Sequence, residues 1–272
     1  MPGGVVALAR ELDRRSALLA RTAAAFALLA LVLVALWIVD AQEVLGINRW
    51  IKPLKFSLSI TVYLATLAWL LPHVTLGRKA AVMVTWVPVV MMIGEMIGIA
   101  SQSARGEPSH FNYTTLHNAV VFQLMGVMIV INTAAVAVLA WAYWTQETAL
   151  PRAYREGIRW GLVVAFIGMN EAWFMIAINA HTVGLADGGP GLPFVNWSTR
   201  VGDLRVAHFV GMHALQVLPL LGWLVAERVT AAKGWPPDQG VRRVRLVAAA
   251  YTVVVVALLG WALLERPLIA LG

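Results

Sequence analysis

Two glutamates lie inside long apolar stretches of this sequence, where a charged side chain is costly. Glu95 falls within the apolar run 80–100, and Glu171 falls within the run 158–179. Ionisable residues inside a membrane span usually pair with another polar group or line a wet cavity. The two carboxylates therefore predict a polar site within an otherwise apolar protein, where either could transfer a proton as a catalytic group.

Five of the six histidines lie beside the same ends of the apolar runs as these carboxylates. Imidazoles and carboxylates from several helices can converge on zinc, iron or manganese. We expect His117, His208 and His213 to be ligands of a divalent metal, zinc or iron, although no HExxH motif is present. Two alternatives stay open: two of the three are axial haem ligands, or His–Glu and His–Gln pairs only satisfy each other between helices.

Positive and polar residues near the same ends predict contacts to a ligand. Lys52 and Lys55 flank Pro53, which fits the first turn of a helix. A helix amino terminus with two lysines can hold an anion, although such lysines can also reach lipid phosphates. The other candidate ligand-binding residues are Asn170, Trp173, Arg205 and Gln216.

Seven apolar runs are long enough to cross a membrane. The chain has 272 residues and is 60% hydrophobic and 13% charged, whereas a soluble domain is about 25% charged. Each run approaches or exceeds the ~20 residues that a helix needs to cross ~30 Å of hydrocarbon. The runs are residues 22–40, 54–72, 80–100, 118–144, 158–179, 204–226 and 244–265. We therefore expect an all-α polytopic membrane protein, with residues 1–272 forming a single domain, one bundle of seven transmembrane helices.

Basic residues are distributed unevenly between the two sides of these spans. Fourteen of the 21 lysines and arginines, Arg228 and Lys233 among them, fall on the side of the amino terminus, and seven fall on the other. Because positive connections stay in the cytoplasm, we expect the amino terminus inside, the carboxy terminus outside, and a location in the plasma (inner) membrane. Topology thus explains the net charge of +7, and no nucleic-acid partner is expected.

Two connections on the predicted outer side are long. They are residues 101–117 and residues 180–203, and the second contains five glycines and two prolines. Loops beyond ~12–15 residues are uncommon unless they bind, cover or stay disordered. We expect both connections to cover an outward-facing pocket, with residues 182–200 acting as its lid.

Four further residues have predicted structural roles. Asp203 precedes an apolar run and fits a helix N-cap. Gly94 and Gly98 form a small-residue face for close helix packing, and Asn132 is placed to make a hydrogen bond between helices.

These features favour a membrane-embedded, metal-dependent enzyme that acts on a small or lipid-like, anionic substrate at its outer face. Glu171 and His213 lie at similar depth by helix rise, so we expect their side chains to point inward and to lie within one intervening water or metal ion of each other or of Glu95. The alternative is a small-solute carrier, or a membrane sensor that binds a ligand or haem. The lipid bilayer and a small-molecule or lipid ligand are the expected partners, and a homo-oligomer is compatible with the sequence. The absence of cysteine excludes disulfides, iron–sulfur clusters and cysteine nucleophiles.

Overall fold

The computed structural model describes residues 4–227, 234 and 236–270, and these residues are mostly helical. The helices are α1 (Val5–Arg15), α2 (Ala17–Val39), α3 (Ile51–Leu70), α4 (Arg78–Ala104), α5 (Leu116–Thr145), α6 (Arg152–Asn170), α7 (Ala172–Ile178), α8 (Leu204–Leu224) and α9 (Pro237–Leu263). A 3-10 turn, Leu71–His73, follows α3. Two antiparallel ladders pair β1 (Glu43–Val44) with β2 (Ile47–Asn48), and β3 (Thr182–Val183) with β4 (Gly202–Asp203).

Seven helical segments are long and apolar enough to cross a membrane, which confirms the all-α class and the seven predicted spans. They are Ala17–Val39, Ile51–His73, Arg78–Ala104, Leu116–Thr145, Arg152–Ile178, Leu204–Glu227 and Asp238–Leu263. The first, fifth and seventh begin at residues 17, 152 and 238, rather than at 22, 158 and 244, because the helical backbone continues beyond the predicted apolar run. Arg228 and Lys233, two of the predicted cytoplasmic cations, lie outside the described residues.

Helix α1 has no counterpart among the predicted spans. It is 11 residues long, too short to cross a membrane, and none of its residues is buried. Its apolar residues repeat with the spacing of an amphipathic surface helix. Ser16, in extended conformation, separates α1 from the first span.

The chain divides into two compact units, Met1–Ala135 with Gly188–Asn196, and Val136–Asp187 with Trp197–Gly272. In the first unit, α2 packs on α3 through Ala30, Leu33 and Leu54. Contacts between the two helices are not only apolar, because a buried hydroxyl, Ser57 Oγ, donates to the Phe26 carbonyl at 2.6 Å.

Two predicted roles in the first unit agree with the structure. A Cβ added to Gly98 would lie 2.6 Å from Met125 Sδ, so α4 approaches α5 closely at the small-residue face that Gly94 and Gly98 form. Tyr63 donates a hydrogen bond from its hydroxyl to Asn132 Oδ1 at 3.0 Å, which links α3 to α5.

In the second unit, helices α6 and α8 are in backbone contact. A Cβ added to Gly168 would lie 2.6 Å from Gly211 Cα, and one added to Gly222 would lie 3.0 Å from Gly157 Cα. Small residues allow this approach, as in many membrane helix pairs. Helix α9 packs against both, and the core contains Val164, Ala214, Leu218, Ala248 and Val255.

Candidate functional site

Glu95 is a buried carboxylate without a hydrogen-bond partner. It lies on α4 in the first unit with 1% of its surface exposed, and neither side-chain oxygen is hydrogen-bonded to any residue the structure describes. The ammonium group of Lys52, near the amino end of α3, attracts the carboxylate without donating a hydrogen bond to it. A buried carboxylate is costly unless a proton, a cation or a donor group neutralises it. The position therefore suits a ligand that carries such a group.

Lys55, one turn after Lys52, ties α3 to the long glycine-rich connection. Its Nζ donates to the Val195 carbonyl at 2.9 Å. The adjacent Phe194 packs against Trp37, with ring centroids 6.2 Å apart. Residues 188–196 therefore lie against the amino end of α3 within the first unit.

A hydrogen-bonded network orders the connection 101–117. Gln102 lies seven residues after Glu95 on the same face of α4, and its amide donates to Asn118 Oδ1 at 3.0 Å. Arg105 donates to Gln102 Oε1 at 2.7 Å, and Asn112 donates to Glu107 Oε2 at 3.0 Å. Asn112, in the connection, and Asn118, in the first turn of α5, are buried and were not predicted, because only the fold distinguishes a buried amide side chain from an exposed one.

The two histidines of the segment 101–117 have different surroundings. His117, in the first turn of α5, is exposed. His110 is half-buried among aromatic rings, with centroids 6.2 Å from Phe56, 6.2 Å from Phe111 and 5.8 Å from Phe122. His110 therefore packs in an aromatic cluster, while His117 faces outward.

Glu171 is a buried carboxylate of the second unit, and it separates α6 from α7. It is 5% exposed, and Oε2 has no hydrogen-bond partner within the described part of the chain. Its backbone amide bonds the carbonyls of Ile167 at 3.1 Å and Gly168 at 3.3 Å, a tightened helical turn. The predicted burial of Glu171 is thus observed, and it stands where the helix is interrupted.

His208 and His213 on α8 each bind a backbone carbonyl. His208 Nδ1 lies 2.7 Å from the Gly168 carbonyl, and His213 Nδ1 lies 2.8 Å from the Phe209 carbonyl of its own helix. In the neutral ring these bonds place the proton on Nδ1 and leave Nε2 as the acceptor. The His213 ring also packs on Phe209, with centroids 4.0 Å apart. Within the described part of the chain, Glu171 and His213 are not hydrogen-bonded to each other.

Two other residues of the second unit that were predicted to bind a ligand, Trp173 and Gln216, are more exposed than Glu171. Trp173 is 53% exposed, and its indole nitrogen donates to Asn170 Oδ1 at 3.2 Å. This exposure does not favour a pocket wall. Gln216 is half-buried on α8, three residues after His213.

Arg205 already pairs with the residue that caps its helix. Asp203 accepts the backbone amide of Arg205 at 3.0 Å, which confirms the predicted N-cap of α8. The guanidinium of Arg205 also donates to both carboxylate oxygens of Asp203, at 2.9 and 2.6 Å. Arg205 thus helps to fix the start of α8.

His181 forms an ion pair with Asp187 that the sequence did not predict. Asp187 also accepts the backbone amides of His181, at 3.0 Å, and Thr182, at 3.1 Å. Burial alone would raise the pKa of Asp187, but the hydrogen bonds and charge of His181 and the bond from Thr182 hold that pKa well below its usual range. The pair therefore fixes the chain that follows α7.

Glu156 is a third buried glutamate, near the start of α6. It is 4% exposed, and it accepts hydrogen bonds from Arg245 at 2.8 Å and Arg159 at 3.3 Å. Glu156 lies outside the fifth span predicted from the sequence, so its burial was not expected. The only residue in the sequence that indicated a partner for Glu156 is Arg159, which is three residues later and therefore on the same face of the helix.

Among the residues with described positions, no group of three or more histidine, aspartate, glutamate or cysteine side chains could hold a metal ion. The zinc or iron site at His117, His208 and His213 therefore has no support from these positions and stays a prediction, as does haem.

Each of the two units has a surface depression among its described residues. One, of about 10 Å³, lies in the second unit and is lined by Asp203, Val206, Leu258, Trp261, Ala262, Arg266 and Leu268. The other, of about 360 Å³, lies in the first unit and is lined by Glu11, Arg14, Arg15, Pro72 and His73. Neither is lined by Glu95 or Glu171.

Comparison with known proteins gave no match to a family model, to a curated protein or to a solved structure. The seven long apolar helices are compatible with an integral, multi-pass membrane protein.

Proposed function

We propose that this chain is a plasma-membrane protein that binds a small zwitterionic ligand near the outer ends of its first spans. One observation carries the proposal: Glu95 is buried without a hydrogen-bond partner among the described residues, and the opposite charge of Lys52 acts on it. An ammonium group of the ligand would donate to Glu95, and its anionic group would accept from Lys52. The amino end of α3 adds a favourable field for that anionic group.

Entry of the ligand requires a local movement, since only 1% of Glu95 is exposed. We propose that the segment Gly188–Asn196 is the cover, held by the bond from Lys55 to the Val195 carbonyl. Loops that open and close over a site commonly control access to it. The proposed cover is therefore shorter than the predicted lid, residues 182–200, because only Gly188–Asn196 belongs to the first unit.

The proposed activity is ligand binding, as in a carrier or a sensor. The charged group that acts on Glu95 is a lysine, which favours a zwitterion over a metal ion at this position. A metal-dependent enzyme stays a prediction that no contact of the described residues supports.

The proposal places the amino terminus in the cytoplasm and the carboxy terminus outside, from the excess of basic residues on the amino-terminal side. Reporter fusions after Lys79 and Arg155 should report a cytoplasmic location, and a fusion after Gly189 an external one. The reverse pattern would put Lys52 and Glu95 on the cytoplasmic side and contradict the proposal.

The test of binding uses the purified protein in lipid nanodiscs and measures its thermal midpoint with four probes: glycine, β-alanine, γ-aminobutyrate and phosphoethanolamine. At least one should raise the midpoint by several degrees at a concentration of about 100 Kd. Glu95→Gln and Lys52→Gln should abolish the rise, while Glu43→Gln, an exposed residue of the same unit, should retain it. A Glu95→Gln protein that responds like wild type, or a wild type that responds to none of the probes, would refute the proposal.

A further inference from the structure

The exposed side of α1 carries large apolar residues. Val5 is 84% exposed, Val6 is 64% exposed and Leu8 is 41% exposed. Apolar side chains grouped on one face of a short basic helix are typical of helices that lie in a membrane interface. Helix α1 is followed after a single residue by the span Ala17–Val39, so it lies where that span leaves the bilayer.

The carboxyl end of α1 is held to the end of α3. Arg15 donates to the Trp69 carbonyl at 2.9 Å and contacts His73 Nε2 at 3.1 Å. Its guanidinium also stacks over the Trp69 ring, 3.9 Å from the centroid. These contacts fix the rotation of α1 about its axis, and with it the direction in which Val5 points.

The surface depression of the first unit lies at this junction. Two arginines, Arg14 and Arg15, and a histidine, His73, contribute to its lining, together with Glu11 and Pro72. The Arg14 side chain is 78% exposed, although it also pairs with Glu11. A guanidinium has five donors, so a second anion can share it.

Two further cations begin the next helix at the same end of α3. Arg78 and Lys79 are exposed in the first turn of α4, five residues or more after His73. The junction therefore combines an apolar surface with an excess of positive charge, next to a membrane span. An anionic phospholipid has the complementary arrangement, with acyl chains below a negative phosphate.

We propose that α1 lies in the headgroup layer and that the depression beside it, lined by Arg14 and Arg15, binds the phosphate of an anionic phospholipid. Val5 and Leu8 then contact the acyl chains, and the arginines contact the phosphate oxygens. This site is distinct from the proposed ligand site at Glu95, and neither depends on the other.

Lipid binding is tested with the full chain in detergent, by native mass spectrometry after addition of dioleoylphosphatidylglycerol or dioleoylphosphatidylcholine. Phosphatidylglycerol should bind more tightly, and Arg14→Gln should weaken it about five-fold, from the loss of one basic residue near the phosphate. Arg10→Gln removes the same charge from α1 at a position that does not line the depression, so it should change binding less. Equal binding of both lipids, or equal effects of the two substitutions, would overturn the site. Inorganic phosphate that displaces the lipid at millimolar concentration would show a free-anion site instead, and would also overturn it.

The position of α1 is tested separately with nitroxide labels. Since the chain has no cysteine, each introduced cysteine carries a single label at a known position. Labels at Val5→Cys and Arg10→Cys lie about 140° apart around the helix, from five residues at about 100° each. In phosphatidylglycerol vesicles, the label at Val5→Cys should be relaxed more by oxygen than by a water-soluble nickel chelate, and the label at Arg10→Cys the reverse. A label at Val5→Cys that is fully accessible to the nickel chelate would contradict the interfacial location.

Discussion

His208 donates a hydrogen bond from Nδ1 to the Gly168 carbonyl at 2.7 Å, and so connects α8 to α6 at a glycine where the two backbones touch. Three residues further along the chain, Glu171 separates α6 from α7. His208 therefore donates a hydrogen bond to a carbonyl in the last turn of α6, just before Glu171. This arrangement explains a structural role for His208 without any ligand.

Replacement of His208 by phenylalanine keeps an aromatic ring but removes the donor. We expect the free energy of unfolding to fall by about 1–2 kcal/mol, which lowers the thermal midpoint by a few degrees in a chain of this size. His208→Gln retains a donor and should recover part of the loss. His117→Phe changes an exposed histidine and is the control. Equal midpoints for wild type and His208→Phe would show that the bond contributes nothing to stability.

Gly168→Ala should destabilise the second unit, because the added methyl group would collide with the backbone of α8. The added Cβ would lie 2.6 Å from Gly211 Cα, a backbone atom that cannot rotate away. Overpacking of this kind typically costs about 1–3 kcal/mol. Gly260→Ala, on α9 with nothing within 4 Å of the new Cβ, is the matched control and should leave stability equal or slightly higher. The unfolding midpoints of the two variants in the same detergent compare them directly, and similar values would contradict the close approach of α6 and α8.

The features that the sequence predicted correctly depend on short segments of chain. A span needs only an apolar run of sufficient length, so all seven were found. The N-cap at Asp203 needs a side-chain oxygen before a helical start, and the small-residue face of Gly94 and Gly98 needs a spacing of four. None of these requires knowledge of which helices are neighbours.

The faces that the helices bury could not be predicted in the same way. His117 and Trp173 are exposed, whereas Glu156 is 4% exposed. The difference depends on the neighbouring elements: Glu156 is covered because Arg245 approaches it from α9. A single sequence gives the depth of a residue in a span, but the direction of its side chain depends on the packing of the other helices.

Glu156→Gln should destabilise the second unit, since the substitution removes the charge that Arg159 and Arg245 share. The Glu156 side chain is 5% exposed but that of Arg245 is 56% exposed, so solvent screens part of the interaction. We expect a loss of about 1–3 kcal/mol, less than the 3–5 kcal/mol of a fully buried pair. Glu147→Gln, at a glutamate 83% exposed that pairs with Arg155, should cost less than about 1 kcal/mol. Denaturant unfolding of both proteins gives the comparison, and an equal loss for the two would refute the burial of Glu156.

Asp187 gives a prediction for the dependence of stability on pH. Burial raises the pKa of Asp187 in the folded protein. The hydrogen bonds from His181 and Thr182 lower it by more, so the pKa lies below its usual range. In the unfolded chain the pKa is about 3.9. A carboxyl with a lowered folded pKa contributes stability that is complete above the unfolded value and is lost as the pH falls toward the folded value. The contribution should therefore be complete near pH 5 and should decline below about pH 4.

The measurement is amide hydrogen exchange at His181 and Thr182, whose backbone amides bond to Asp187 at 3.0 and 3.1 Å. Protection factors, corrected for the intrinsic exchange rate at each pH, are compared between wild type and Asp187→Asn. At pH 6 the wild type should be better protected, because the charged carboxylate accepts stronger hydrogen bonds than the neutral amide. Between about pH 4 and pH 2 the difference should shrink, since the wild type loses the contribution that the variant never had. Other groups that titrate in this range act on both proteins, so they cancel in the difference. A difference that stays constant or grows as the pH falls would show that Asp187 does not stabilise this segment through its charge.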